Sequence, residues 1–211
     1  MPEKNRDLHG NVSHKHRFGL LLIDVINDFD FPEADQLLQY ARPMARNLLR
    51  LKRRAQKAGV PVIYVNDNFG QWKSDFRRTV EHCAREGRGG DIVKLLQPDE
   101  NDYFVLKPKH SAFFSTTLET LLRYLETQSI ILTGIAGNIC VLFTANDAYM
   151  RDFNLFVPPD CMVSNTKKDN DSAIALMKKS LKADTRLSHA IVFRKTQTSK
   201  RKGPTSRRRN S

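Results

Sequence analysis

The stretch Phe18-Gly19-Leu20-Leu21-Leu22-Ile23-Asp24 is a continuous apolar run that stops at a carboxylate. An apolar run without polar alternation reads as a strand buried on both faces, as strands of parallel sheets are. The next apolar pattern has the period of a helix. Leu37, Leu38, Ala41, Met44, Ala45, Leu48, Leu51 and Ala55 share one stripe. Pro43 is expected to restart this helix as a first-turn residue, and Gly59 to end it just past the C-cap.

Outward from this pair the same alternation repeats. Residues 62–65 read as a second strand ending at Asn66, and 75–85 as a helix. Gly87, Gly89 and Gly90 break that helix and read as the hinge of a lid, with one more turn at 92–96. Residues 103–106 make a third strand. A capping-box pattern, Thr116-x-x-Glu119, announces a helix over 116–125. Strand 129–133, helix 138–150, strand 155–157, helix 171–181 and strand 190–193 complete the chain. Such a rhythm predicts an α/β fold, a three-layer α/β/α sandwich around a mostly parallel, roughly six-stranded sheet.

Composition excludes several other classes. Of 211 residues, 40% are hydrophobic, too many for a chain disordered throughout. Ten Gly and nine Pro exclude a collagen-like repeat. No apolar run approaches the ~20 residues of a membrane span, and residues 1–17 lack the apolar core of a secretory leader. Net charge is +12, but residues 194–211 hold +8 of it and residues 1–17 hold +2. The expected organisation is a polar arm over 1–17, one folded domain over 18–193 and a basic tail over 194–211. Three scattered cysteines without a CxxC pair suit a reducing, cytoplasmic setting rather than a disulfide framework or zinc site.

In open parallel sheets the ligand site lies beyond the carboxyl ends of the strands. Asp24, Asn66 and Lys107 stand at such ends, and Cys140 follows the fourth strand by a few residues. A thiol in the first turn of a helix meets the positive end of the helix dipole, which favours the thiolate. Backbone N–H groups at the same turn can hold an oxyanion. A carboxylate in the apolar setting of Asp24 needs a cationic partner. Residue chemistry alone leaves Lys107, Lys109 and His110 as candidates for it.

Three segments narrow the choice: Asp24-Val25-Ile26-Asn27-Asp28-Phe29, Lys107-Pro108-Lys109-His110-Ser111-Ala112-Phe113 and Thr133-Gly134-Ile135-Ala136-Gly137-Asn138-Ile139-Cys140-Val141. Together, in this order and spacing, they resemble the isochorismatase-like cysteine hydrolases, which include nicotinamidases and carbamoyl-amide hydrolases. The resemblance covers about residues 18–193. It implies an Asp24–Lys107–Cys140 triad, Lys107 being chosen because it stands four residues before the Ser-Ala-Phe step. It also implies a cis peptide at Ile135–Ala136 and an oxyanion hole formed by the N–H groups of Ala136 and Cys140.

The activity so implied is hydrolysis of a small amide, ureido or imide compound through a Cys140 thioester. No cofactor is implied, and a homo-oligomer, dimer or tetramer, is expected. Asn66 and Asn68 are candidate substrate-orienting groups; Phe29, Trp72 and Phe113 are candidate pocket walls. His110 is a further candidate for substrate contact. Asp67 is followed by no histidine before His82, unlike the metal-binding stretch of nicotinamidases, so no metal is expected. Ile26 and Gly137 stand where Gln and Thr are frequent in the family. Two other functions are carried as alternatives: vinyl-ether hydrolysis by Asp24 and Lys107 alone, and polyanion binding through the basic tail of an inactive fold.

Overall fold

A computed structural model describes residues 15–68 and 75–193. Residues 1–14, the segment holding Trp72, and the tail from 194 onward lie outside the described residues. Six strands form one sheet: β1 (Phe18–Ile23), β2 (Val62–Asp67), β3 (Tyr103–Lys107), β4 (Ser129–Ile135), β5 (Asn154–Phe156) and β6 (Met162–Val163). Their order is β3-β2-β1-β4-β5, every pairing is parallel, and β6 joins β4 beyond the end of β5.

The apolar run of β1 is buried on both sides because the pleat sends alternate residues to opposite faces. Leu20 and Leu22, with Val62 and Tyr64 of β2, pack under α1 (Ala34–Lys57), α2 (Phe76–Arg85) and α3 (Gly90–Leu95). Leu21 and Ile23, with Ile63 and Val65, pack under α4 (Leu118–Tyr124), α5 (Leu142–Tyr149) and α6 (Lys167–Ser180). No described helix is long and apolar enough to cross a membrane.

Several local expectations are corrected. Pro43 does not restart a helix; it sits inside the unbroken α1. Both Pro43 and Gln39, whose carbonyl loses its partner there, are exposed, so water can take the orphaned group. Gly59, at φ 76°, does close α1: its N–H donates to Gln56 and that of Val60 to Ala55, a Schellman arrangement. The capping box at Thr116 does not form. The Thr116 hydroxyl instead donates to the Ala112 carbonyl, while Glu119 pairs with Arg123 and Arg151.

Helix α6 starts earlier than its apolar pattern, because Thr166 accepts from the Asp169 N–H as an N-cap. Residues 190–193 are not the sixth strand; β6 is. Arg54 satisfies the Ser188 and Ile191 carbonyls, and residue Asp184 bridges the outer side of β5, so the terminal segment has no sheet edge to join.

The N-terminal boundary also moves. His16 is buried, and Arg17 bonds Gln128, so residues 15–17 belong to the fold rather than to an arm. Gly87 and Gly89 lie in close contact with Asp28 and Phe29. A Cβ at Gly89 would lie 2.2 Å from the Phe29 ring, and one at Gly87 2.8 Å from the Asp28 Cα.

Candidate active site

The strand order reverses at β1, with β2 and β3 on one side and β4 and β5 on the other. Ligand crevices open at such points, past the carboxyl ends of the strands. Asp24 follows β1, Lys107 closes β3, and Cys140 lies in a single π-helical turn, Gly137–Val141, between β4 and α5.

Asp24 is 6% exposed and is followed by the fully buried Val25 and Ile26. Its φ of 49° is left-handed, a conformation that costs a non-glycine residue about 1–3 kcal/mol and must be enforced by neighbours. Two hydrogen bonds do so: the Asp24 N–H donates to the Val65 carbonyl at 2.9 Å, and the Asp67 N–H donates to Asp24 Oδ1 at 2.7 Å. The other carboxylate oxygen faces Lys107 Nζ at 2.9 Å.

Lys107 is wholly buried. Its ammonium reaches the Cys140 sulfur at 3.6 Å, the Lys109 carbonyl at 3.2 Å and Asp67 Oδ2 at 3.7 Å. The Asp24 carboxyl and the Cys140 thiol are near enough to shift each other's protonation. Of the three basic candidates, Lys109 turns its side chain to solvent, and His110 approaches the sulfur from the open side, Nδ1 at 3.9 Å.

Burial sets the protonation of this cluster. It raises the Asp24 carboxyl above its ordinary range, against the opposing pull of Lys107. Burial works against the Lys107 charge, yet Asp24, Cys140 and Asp67 more than compensate and hold it protonated. The Cys140 thiol is pushed up to about 12, by burial first and by the Asp24 charge second, with Lys107 opposing. Burial and the Asp24 charge thus oppose the thiolate that a helix-start position would favour. At rest the sulfur keeps its proton, beside a carboxyl suited to take it.

The turn that carries Cys140 is fixed by close packing. Gly134, at φ 111°, touches β1 so closely that a Cβ would meet the Ile23 carbonyl oxygen at 2.0 Å. The Ile135–Ala136 peptide is cis. The Ala136 carbonyl accepts from both Ile139 and Val141, the latter bond giving the turn its π register.

The other wall is tied to the same helix. Thr144, one turn past Cys140, donates to the Cys140 carbonyl at 2.7 Å and accepts from the Ala112 N–H at 3.0 Å. Ser111 donates to Asp147. Together they clamp the 107–113 loop beside the sulfur. Sequence reading missed Thr144, although its spacing of four from Cys140 on a helix carried the signal.

Residues 18–187 match the Isochorismatase domain family. The chain belongs to the isochorismatase family. It is 43% identical to the isochorismatase family protein YaaI of Bacillus subtilis over 173 residues, 82% of this chain and 95% of that one. It is 31% identical to the ureidoacrylate amidohydrolase RutB of Serratia proteamaculans, over 53% of each chain. N-carbamoylsarcosine amidase of Thermoplasma acidophilum shares the fold, with a TM-score of 0.63 at 22% identity over 83% of this chain and 98% of that one.

Within this isochorismatase-family site, Gly137 has a physical reason. A Cβ there would lie 2.3 Å from Met162 Cε and 2.5 Å from Asn170 Oδ1, so a threonine would have to displace one of these side chains; the Ser164 hydroxyl accepts from the next N–H, that of Asn138. Three of the expected substrate contacts are buried in this structure. Asn66 is fully buried and donates to the Ile26 carbonyl at 2.5 Å, bracing the β1 exit. Phe29 is fully buried over Gly89, and Phe113 packs between Phe153 and the Arg151 guanidinium.

Asn68 is half-buried and donates its N–H to the Lys107 carbonyl, adjacent to the cluster. Among the described residues no three His, Cys, Asp or Glu side chains gather as a metal site. A cavity of about 650 Å³ lies between β5, the end of α5 and Lys182, and contains none of the three clustered residues.

Proposed function

We propose that this protein is a cysteine hydrolase that cleaves the C–N bond of a small, non-peptide amide or ureido compound through a Cys140 thioester. The observation that carries this is a single ammonium, Lys107 Nζ, at 2.9 Å from the Asp24 carboxylate and 3.6 Å from the Cys140 sulfur. The names of two similar proteins, a ureidoacrylate amidohydrolase and an N-carbamoylsarcosine amidase, support the ureido or carbamoyl class.

Asp24 takes the thiol proton, leaving a thiolate beside the Lys107 ammonium; the buried cluster keeps its total charge during this step. Sulfur attacks the substrate carbonyl carbon, and the oxygen that becomes negative is met by the N–H groups of Ala136 and Cys140. As the C–N bond breaks, protonated Asp24 gives its proton to the leaving nitrogen, and ammonia or an amine departs. Water then enters, loses a proton to Asp24 and attacks the thioester. The acid leaves, and the proton returns to sulfur. Asn68 and His110 are the proposed orienting contacts at the open side.

The test is a screen of small amides, ureas and N-carbamoyl compounds for ammonia or amine release. Mass spectrometry should find the acyl adduct on Cys140 and not on Cys83 or Cys161. Cys140→Ala is expected to lower kcat by about a thousandfold or more. Near-normal turnover in that variant would instead establish vinyl-ether-type chemistry by Asp24 and Lys107 without covalent catalysis.

A further inference from the structure

Three side chains surround the open side of the Cys140 sulfur, and the two on its own helical segment are apolar. Ile139 is 38% exposed and Phe143 is 51% exposed. Phe143 stands four residues after Ile139 and three after Cys140, the spacings that put helix residues on one face. The third side chain is His110. Its Nδ1 is 3.9 Å from the sulfur, and its ring centre is 5.7 Å from that of Phe143, with the planes tilted by 51°. Sulfur, imidazole and phenyl ring are thus neighbours of one another.

The backbone that carries His110 is held on both sides. The Lys109 carbonyl accepts from Lys107 Nζ, Ser111 donates to Asp147, and the Ala112 N–H donates to Thr144, the residue after Phe143. The imidazole is therefore fixed in place although its ring is exposed. Its Nδ1 faces the sulfur, and among the described residues nothing bonds its Nε2. A neutral imidazole that accepts at Nδ1 carries its proton on Nε2, so that atom is a donor. The apolar pair is too small to seat a protein. Exposed Asn146 interrupts the stripe one turn after Phe143, and two half-exposed side chains fall far short of the roughly 800 Å² that each partner gives to a stable interface.

We propose that His110 and Phe143, with Ile139 beside them, form the wall that selects the substrate: an amide or ureido compound whose non-reacting part is flat and conjugated and ends in an acceptor oxygen. This rests on the hydrolase reading above. A group bonded to the carbonyl that Cys140 attacks has this wall within reach. The phenyl ring favours offset or edge-on contact with another flat π-system. A puckered, saturated group of equal size touches a flat wall with fewer of its atoms, and each lost contact forfeits attraction. Past the ring, the Nε2 N–H donates to the acceptor oxygen, most strongly when that oxygen belongs to a carboxylate.

N-phenyl, N-cyclohexyl and N-(3-carboxyphenyl) chloroacetamide alkylate a thiol without any hydrolysis, so they test the wall apart from the hydrolase reading. The rate of Cys140 labelling in the full chain, followed by peptide mass spectrometry at about pH 9, is divided by each reagent's rate with glutathione. The phenyl reagent should label about fivefold or more faster than the cyclohexyl one, through a lower half-saturating concentration and not a higher maximal rate. Phe143→Ala should bring that ratio to about one, and Phe143→Tyr should keep it. The carboxyphenyl reagent should gain about threefold more over phenyl. His110→Phe should remove that gain and keep the preference for the flat ring. Equal corrected rates for phenyl and cyclohexyl in the natural chain would overturn the proposal, as would a carboxylate gain that survives His110→Phe. A ratio that survives Phe143→Ala would overturn it too, and loss of subunits by that variant in sedimentation would then assign Phe143 to an interface between copies. A held labelling preference with no turnover in the amide screen would remove the hydrolase reading and leave the wall standing.

Discussion

The Cys140 thiol illustrates how a residue's chemistry depends on what surrounds it. Placement in a helix-start turn favours the thiolate, but burial and the Asp24 charge push the thiol up to about 12. Alkylation of Cys140 by iodoacetamide should therefore be slow at pH 7 and rise about tenfold per pH unit, because the thiolate is the nucleophile. Peptide mapping against pH reads this directly; a plateau near neutral pH would contradict the described electrostatics. Lys107 is the other half of the balance. Lys107→Met leaves the Asp24 carboxylate buried without its counter-charge, and about 3–5 kcal/mol of stability should be lost. Urea unfolding measures it. No change would mean that Asp24 is already neutral in the folded chain.

At the scale of elements, the turn after β4 concentrates the constraints. Its two glycines are needed for different reasons: Gly134 for a positive φ and contact with β1, Gly137 for contact with Met162 and Asn170. Gly137→Thr, which restores a residue frequent in the family, must displace Met162 or Asn170. It should cost about 1–3 kcal/mol as an overpacking change, seen as a lowered midpoint in urea. An unchanged midpoint would show that β6 and α6 yield freely. The same scale shows why sequence reading misplaced some features. Pro43 is a helix breaker by propensity, but its exposed setting makes the loss tolerable. Strand 190–193 has the right composition, yet Asp184 occupies the sheet edge it would need.

For the whole molecule, His16 couples the start of the fold to pH. It is 6% exposed, and burial lowers its pKa below the ordinary 6.5. Above about pH 6.5 both folded and unfolded chains hold it neutral, and it contributes nothing. As pH falls below that value the unfolded chain takes up the proton and the folded chain does not, so stability is lost until the folded pKa is passed. The loss is at most about 1.4 kcal/mol per pH unit between the two values. His16→Gln should therefore narrow the difference in Tm between pH 7.5 and pH 5.5. An equal difference in both proteins would remove His16 from the account.

The sequence alone determined the α/β class, the parallel sheet, most elements and the three polar strand ends, because periodicity reports which face of a segment is buried. It also carried the motifs that join Asp24, Lys107 and Cys140. Tertiary structure decided which of three adjacent basic residues turns inward, which way the thiol shifts, and how deeply Phe29, Phe113 and Asn66 are packed. Those outcomes depend on desolvation and on contacts between residues far apart in the chain, and neither leaves a local pattern to read.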